Sequence, residues 1–332
     1  MKALRTLLFL AFVGLVSCNN GKSQNYLPSS IGAVNRVTVV MDNELWKGEV
    51  GDKVREHFAA TAVGLTWEES ILTLNQVPPK VFTGSLLTTK AILLVKKDTA
   101  DVVELKTDVY ATPQRMAVFK GRTNKEIMDD IDAKADEIIA SYKAMELKET
   151  QTRLLKSLNK EGVLEEKFNI TMSVPSIYKV GRQEDNFVWM DREIQKGHMN
   201  IIAYQMPANS FSVDSTLVRD IVKMRDSIGA LYIPGDDVPN KVTHMRTEPA
   251  FSPSIFPAEI AGRKAIEVRG IWDIKNYPMA GPFLTYIIDD NDRKLVVEGF
   301  TFAPATNKRD DMFRLEAIMK TVRFTNKQTV EK

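Results

Sequence analysis

The chain changes rhythm several times, and each rhythm predicts an element. Residues 7–16 carry no charge and follow Lys2 and Arg5. That run is too short to span a bilayer, which takes ~20 residues. Its positive flank and abrupt polar end fit the apolar region of a signal peptide. Residues 18–35 are polar and bear Gly and Ser, as a tether does. From Arg36 the pattern becomes that of a packed domain. Residues 37–41 are β-rich and end at Asp42-Asn43, a turn signal. Val50, Val54 and Phe58 share one side of a short helix over 50–61. Residues 71–77 alternate as a strand and stop at Pro78-Pro79. The apolar run 91–95 suits a central strand, and 116–119 reads as another.

The clearest helix follows. Thr123 and Glu126 form a T-x-x-E capping box, in which the hydroxyl accepts from the amide three residues on and the carboxylate reaches back. Ile127, Ile131, Ala135, Ile138, Tyr142 and Met145 recur every three or four residues and make one apolar stripe. Leu147, Leu154, Leu155 and Leu158 extend the pattern to about Asn159. Two readings stay open. One is a helix of ~36 residues and ~54 Å that bridges two domains. The other is a core helix with a break near Glu149-Thr150.

Gly162 marks a boundary. Beyond it, residues 168–174, 187–190 and 199–204 read as strands, and Leu217, Ile221, Met224 and Ile228 make a helical face that stops at Gly229. Strands over 264–269, 284–288 and 295–302 follow, with Asp289-Asp290-Asn291-Asp292 as a hairpin turn. A helix over 308–321 and a short 322–324 segment finish the chain. Hairpins interrupted by two helices predict an α+β fold. The expected layout is a signal peptide (1–17), a lipidated tether (18–35), an N-terminal α+β domain (36–160) that ends in the long helix, and a C-terminal α+β domain (161–326). The order of elements in the second unit resembles the PsbP/Mog1-like fold, which implies an antiparallel sheet with packed helices.

Charge and cysteine content narrow the function classes. Lys plus Arg is 45 and Asp plus Glu is 43, so no global basic surplus argues for nucleic acid. The one cysteine of the chain excludes a disulfide framework and a thiolate metal cluster. It stands at the end of Leu15-Val16-Ser17-Cys18, which resembles the lipobox of bacterial lipoproteins. That resemblance implies cleavage before Cys18, a thioether to diacylglycerol and an acylated amino terminus, with fatty chains such as palmitate. Each buried CH₂ contributes ~0.8 kcal/mol, and stable anchoring takes at least two chains, so a multiply acylated Cys18 holds a protein to a membrane without a spanning helix. Asn19, where Asp is the familiar retention signal, favours the outer membrane, and the absence of an acidic cluster after the Cys favours the periplasmic face.

Catalytic patterns are weak. His57, His198 and His244 have no His or Cys at metal spacing, so no metal or other cofactor is expected. Glu68-Glu69 cannot flank one bond as adjacent residues and reads as solvated charge. Asp129, Asp130 and Asp132 suit the positive end of a helix dipole. Asp289-Asp290-Asn291-Asp292 fails the EF-hand spacing. The most suggestive stretch is 270–283, where Trp272, Tyr277 and Phe283 lie on a connection rich in Gly and Pro with Arg263 and Arg269 nearby. Loop aromatics beside arginines can form a binding surface for an acidic partner; they can equally cover a sheet.

The signatures Gln76-Val77-Pro78-Pro79, Gly270-Ile271-Trp272, Met279-Ala280-Gly281-Pro282-Phe283 and Glu298-Gly299-Phe300-Thr301-Phe302-Ala303-Pro304 with Lys308-Arg309-Asp310 resemble a Bacteroidetes lipoprotein family known only as a domain of unknown function. The resemblance implies an envelope location and assigns no catalytic residue. The expected function is a lipid-anchored envelope module that binds or scaffolds a protein or glycan, touching the membrane through Cys18 and no nucleic acid. The alternative is a hydrolase of envelope glycan or peptide that uses carboxylates assembled by the fold.

Overall fold

A computed structural model describes residues 26–211 and 215–325. The signal peptide and Cys18 lie outside these residues. The architecture is α+β in two units. The first unit holds β1 (Arg36–Val40), α1 (Asn43–Lys47), α2 (Glu49–Phe58), β2 (Thr73–Val77), β3 (Ala91–Lys97), β4 (Val102–Thr107), β5 (Arg115–Gly121) and α3 (Asn124–Leu154). Its sheet has the order β2-β1-β3-β5-β4. The first four strands run parallel and β4 closes one edge antiparallel. Parallel pairing follows from the chain between β1 and β2, which is long enough for a crossover through α1 and α2. β4 is exposed at most positions and buries no residue fully, so it left no apolar pattern to read.

Alternate residues of a strand point to opposite faces, and the two faces are covered differently. Val37, Val39, Leu93, Val95, Ala117 and Phe119 meet α2 and α3. Val40, Ile92, Met116 and Val118 form a smaller cluster on the other side. The stripe from Ile127 to Met145 is buried as its spacing predicts, and Glu146 and Thr150 continue it. Thr123 Oγ1 accepts from Glu126 N at 3.2 Å, and the Glu126 carboxylate reaches back to Arg122 N at 2.8 Å. The helix passes Glu149-Thr150 without a break and spans 31 residues, about 46 Å at 1.5 Å per residue.

The second unit contains α4 (Val163–Phe168), β6 (Ile170–Thr171), β7 (Lys179–Glu184), β8 (Phe187–Ile194), β9 (Gly197–Pro207), α5 (Leu217–Tyr232), β10 (Met245–Thr247), β11 (Ser254–Ile260), β12 (Arg263–Ile274), β13 (Tyr277–Asp290), β14 (Arg293–Phe302), α6 (Arg309–Met319) and β15 (Arg323–Phe324). The large sheet is antiparallel, ordered β10-β12-β13-β14-β9-β8-β7, with β11 also paired to β12. α4 and α6 pack on one face over Leu284, Tyr286, Leu295 and Val297. α5 packs on the other over Phe187, Tyr204, Trp272, Phe283 and Phe300. Beneath α5 the buried Arg225 donates to Glu298 Oε1 at 2.8 Å, Thr285 donates to Glu298 Oε2 at 2.7 Å, and the guanidinium lies 3.9 Å over Phe283.

Several expectations are corrected. The predicted strand over 168–174 is reduced to β6, which pairs only with β15. α5 runs past Gly229 to Tyr232, because the missing side chain admits the Met245 carbonyl against the helix. Residues 29–35, expected in the tether, are bonded into the first unit: Ser30 N to Thr112 O, Ile31 N to Thr88 O and Thr73 N to Asn35 O. Val34 and Asn35 are buried. The stretch 270–283 is no loop. It forms the ends of β12 and β13, with Lys275-Asn276 as the turn. Its glycines make room for rings: a Cβ at Gly270 would stand 2.7 Å from Phe283, and one at Gly281 would stand 2.9 Å from Trp272.

Candidate functional site

The two units meet at a seam of polar contacts. α6 has no side-chain cap of its own. Glu69, on the first unit, supplies one: its carboxylate accepts from Lys308 N at 2.7 Å and Arg309 N at 3.0 Å. A carboxylate there satisfies orphan amides and faces the positive end of the dipole. Glu69 is buried, so the expectation of solvated charge at Glu68-Glu69 fails for it. Arg309 returns the contact by donating to Ser70 O at 2.8 Å. Asn35 Nδ2 donates to Asp310 Oδ1 at 2.8 Å, and Gln151 Nε2 donates to Ala317 O at 3.2 Å.

Along this seam opens a cleft of about 550 Å³. One wall is Ala62, Val63, Leu65 and Ile71 with Ala140, Ala144 and Leu147 of α3; the other is Phe256 of β11 with Met312 and Phe313 of α6. Val63 is 50% exposed and Phe256 40%, so large apolar side chains from both units stand open to water at the cleft. The loop at Ala62–Leu65 closes one end. Gly64 has φ +76° there, and a Cβ would lie 2.9 Å from Arg269 Cβ, so only glycine lets this loop rest on β12.

The charges in the cleft are of two kinds. Arg269 is matched by two carboxylates. Its Nε donates to Glu267 Oε1 at 2.6 Å and its Nη2 to Glu316 Oε2 at 2.9 Å. Tyr286 completes Glu267 at 2.9 Å and Lys320 completes Glu316 at 2.7 Å. Burial works against the Glu316 charge, yet Arg269 and Lys320 outweigh it and hold the carboxyl below its usual range. Lys143 is different. Its Nζ donates to Asn35 Oδ1 at 2.5 Å and Ile71 O at 2.8 Å, both neutral oxygens. An ammonium has three donors, so one is left. The Phe313 ring lies 5.6 Å away. Burial pushes the Lys143 pKa down to about 8. Behind it, burial pushes Glu146 up to about 7; its Oε2 accepts from Asn35 N at 2.7 Å and its Oε1 has no partner among the described residues. Such an arrangement can receive an apolar body and hold one anionic or carbonyl oxygen on the ammonium.

Of the five candidate binding residues, Trp272, Tyr277, Phe283, Arg263 and Arg269, only Arg269 reaches the cleft. Alternation along β12 explains why. Val268, Trp272 and Ile274 point to the α5 face, and Ala265 belongs to the α6 face that Arg269 shares. Trp272 and Phe283 are core side chains at 1% exposure, and the half-buried Tyr277 packs beside them. Arg263 pairs with Asp290 and lies 3.8 Å over the Phe324 ring. The five do not form one surface. Lys143, Glu146 and Asn35 escaped the sequence reading. One signal was available: Glu146 lies four residues after Tyr142, on the apolar stripe itself.

Histidines contribute no centre. His57 Nε2 is 2.7 Å from Asp132 Oδ1 at the surface. Among the described residues, no group of three or more His, Cys, Asp or Glu is placed to hold a metal ion. No described helix is long and apolar enough to cross a membrane.

Two family models divide the chain between them. Residues 157–321 match Domain of unknown function (DUF4837), and residues 30–155 match Domain of unknown function (DUF8532). No curated protein matches the chain. Among solved structures, a protein of Bacteroides thetaiotaomicron VPI-5482 is similar at 11% identity and a TM-score of 0.28, over 48% of this chain and 46% of that one. This chain therefore spans less than half the length of that protein. Human StAR-related lipid transfer protein 5 is similar at 10% identity and a TM-score of 0.25, over 54% of this chain and 95% of that one.

Proposed function

We propose that the protein is a lipid-anchored binding protein of a bacterial cell envelope, and that its interdomain cleft takes an amphipathic small molecule with one anionic oxygen group. The observation that carries this reading is Lys143, an ammonium in an apolar cleft bonded only to neutral oxygens. The ligand's apolar part lies between Ile71, Leu147, Phe256 and Phe313, and its oxygens meet Lys143. The location rests on the sequence: the signal peptide, the lipobox at Cys18, Asn19 after it, and the resemblance to Bacteroidetes lipoproteins. These favour an outer-membrane lipoprotein on the periplasmic face, attached through acyl chains on Cys18.

The cleft favours binding over hydrolysis. The carboxylates that line it, Glu267 and Glu316, are both bonded to Arg269. The apolar walls also suit a hydrocarbon or aromatic body better than a glycan.

Titration of the full chain with dodecanoate, and with dodecanol as the uncharged control, tests the cleft. Dodecanoate is expected to bind more tightly, and Lys143→Met is expected to weaken it about tenfold, one charge-assisted contact's worth, while leaving dodecanol unchanged. Equal binding of both probes, or dodecanoate binding indifferent to Lys143→Met, would refute the reading. Mass spectrometry of protein from its native host tests the anchor separately. A diacylglyceryl sulfur at Cys18 is expected, and a free thiol there overturns it.

A further inference from the structure

A second cavity, of about 460 Å³, lies beyond the C-terminal end of α3, between the 175–178 loop, β8 and α6. Its lining is basic where the cleft is apolar. Arg153, Lys156, Arg192 and Arg314 all contribute to it. Two donors in its wall are buried and have no acceptor among the described residues: the hydroxyl of Tyr178, a residue 1% exposed, and Nε of Arg192. The Arg192 guanidinium lies 5.6 Å over the Tyr178 ring, so the two residues that carry these donors are in contact.

Carboxylates do not account for these groups. Asp311 matches Arg314, its Oδ1 accepting from the guanidinium at 2.6 Å, and no carboxylate among the described residues accepts from Arg192 Nε or the Tyr178 hydroxyl. Glu149 is 3.7 Å from Arg153 and is already 2.6 Å from Lys90. Ser157 and Ser176 bond to each other at 2.7 Å. A buried donor without an acceptor costs free energy, and a native fold seldom keeps two together. A tyrosine hydroxyl can also accept, but Arg Nε cannot, so a ligand that suits both must offer acceptor oxygens. Several cationic side chains converge here, more than a carboxylate's two oxygens use, and a phosphoryl group has three oxygens to share among them.

We infer that this second cavity is a phosphoryl-binding site, with Tyr178 and Arg192 as its buried donors and Arg153, Lys156 and Arg314 at its mouth. The volume exceeds what a bare phosphate fills, so the site has room for an organic group beyond the phosphorus. Leu154 and Ile177 line the same cavity, and Ile177 is 59% exposed. A free phosphate or sugar phosphate and a phospholipid headgroup share the recognised chemistry.

Calorimetric titration of the full chain with inorganic phosphate, glycerol 3-phosphate and dihexanoyl phosphatidic acid tests the site. Binding of at least one is expected, weakened by added salt. Arg192→Met is expected to reduce it roughly tenfold or more, the usual range for a lost hydrogen bond to a charged group. Tyr178→Phe is expected to reduce it severalfold with no loss of thermal stability, since the hydroxyl has no partner in the folded chain. Lys125→Met, at an exposed position on α3, is expected to leave it unchanged. Tighter binding of the phosphatidic acid than of the other two identifies a lipid headgroup; equal binding identifies the small anion. Failure of all three probes to bind at millimolar concentration would overturn the inference. So would binding that survives Arg192→Met, or a Tyr178→Phe chain that is destabilised while its binding is intact.

Discussion

The two cavities share their supports and differ in how their charges are matched. α3 lines both, with residues 140–147 in the cleft and 150–154 in the second cavity. α6 stands between them, giving Met312, Phe313 and Glu316 to the cleft and Arg314 and Ile318 to the other side. Yet in the cleft the guanidinium of Arg269 is matched by two carboxylates, each completed by a further donor. In the second cavity, two buried donors, the Tyr178 hydroxyl and Arg192 Nε, have no acceptor among the described residues. Counting charged residues would not separate the two places, since each holds several cations. Pairing sorts the charges within each: Arg269 and Arg314 are matched by carboxylates, while Lys143 and Arg192 Nε are not. A matched charge belongs to the scaffold, and an unmatched one is available to a ligand.

The sharpest way to break this contrast is Arg269→Ala. It leaves Glu267 and Glu316, whose side chains are 15% and 16% exposed, without their shared cation. Removing one partner of a buried ion pair is expensive because the other charge is stranded. The expected loss is about 3 kcal/mol in urea unfolding, a large share of a domain's net stability. A loss below about 1 kcal/mol, the range of exposed pairs, would mean that Arg269 is not structural in this sense.

A smaller effect is expected from the pair behind the cleft. Glu146 has its pKa raised from 4.5 to about 7 by burial, against the Asn35 amide and Lys143. Between those values the unfolded chain is ionised at this position and the folded chain is still protonated. Folding then takes up a proton, so this group's contribution makes stability fall as pH rises through that window. Lys143 acts at higher pH. Its pKa falls from 10.5 to about 8, so folding releases a proton between those values and stability rises with pH there. Glu146→Gln should flatten the acidic limb, gaining about 2 kcal/mol relative to the parent at neutral pH compared with pH 4. Thermal melts of both proteins across this range would show it; parallel pH profiles would contradict it.

Element type was legible in the sequence wherever one face is buried and the other wet. α3 is the best case, because its stripe from Ile127 to Met145 follows from a single period. The continuous apolar run at 91–95 and the strand-like 295–302 marked β3 and β14 in another way, as strands buried on both faces. β4 and β7 were not legible, since edge strands bury too few side chains to leave a pattern. The stretch 270–283 misled for a definite reason. Gly270 and Gly281 look like loop residues, but they are strand positions vacated for the Phe283 ring at one and for the Thr301 carbonyl and the Trp272 ring at the other. The cleft was least legible of all. Lys143 and Arg269 come from different units, and nothing in their local spacing states that Gly64 holds the 62–65 loop against β12.

The smallest expected effect is the one that makes the contrast quantitative. Arg153→Ala is the same chemical change as Arg269→Ala, made at the mouth of the second cavity. Arg153 is 48% exposed, and its contact with Glu149 is 3.7 Å long and spaced i,i+4 on α3. Solvent screens such a pair, and holding the long side chain in place costs entropy, so the pair contributes about 0.5 kcal/mol or less. Glu149 keeps Lys90 at 2.6 Å, so no carboxylate is stranded. The substitution should therefore leave urea unfolding nearly unchanged while weakening phosphoryl binding. If it destabilised the fold as much as Arg269→Ala, Arg153 would be a matched charge after all, and the division between scaffold and ligand charges would fall with it.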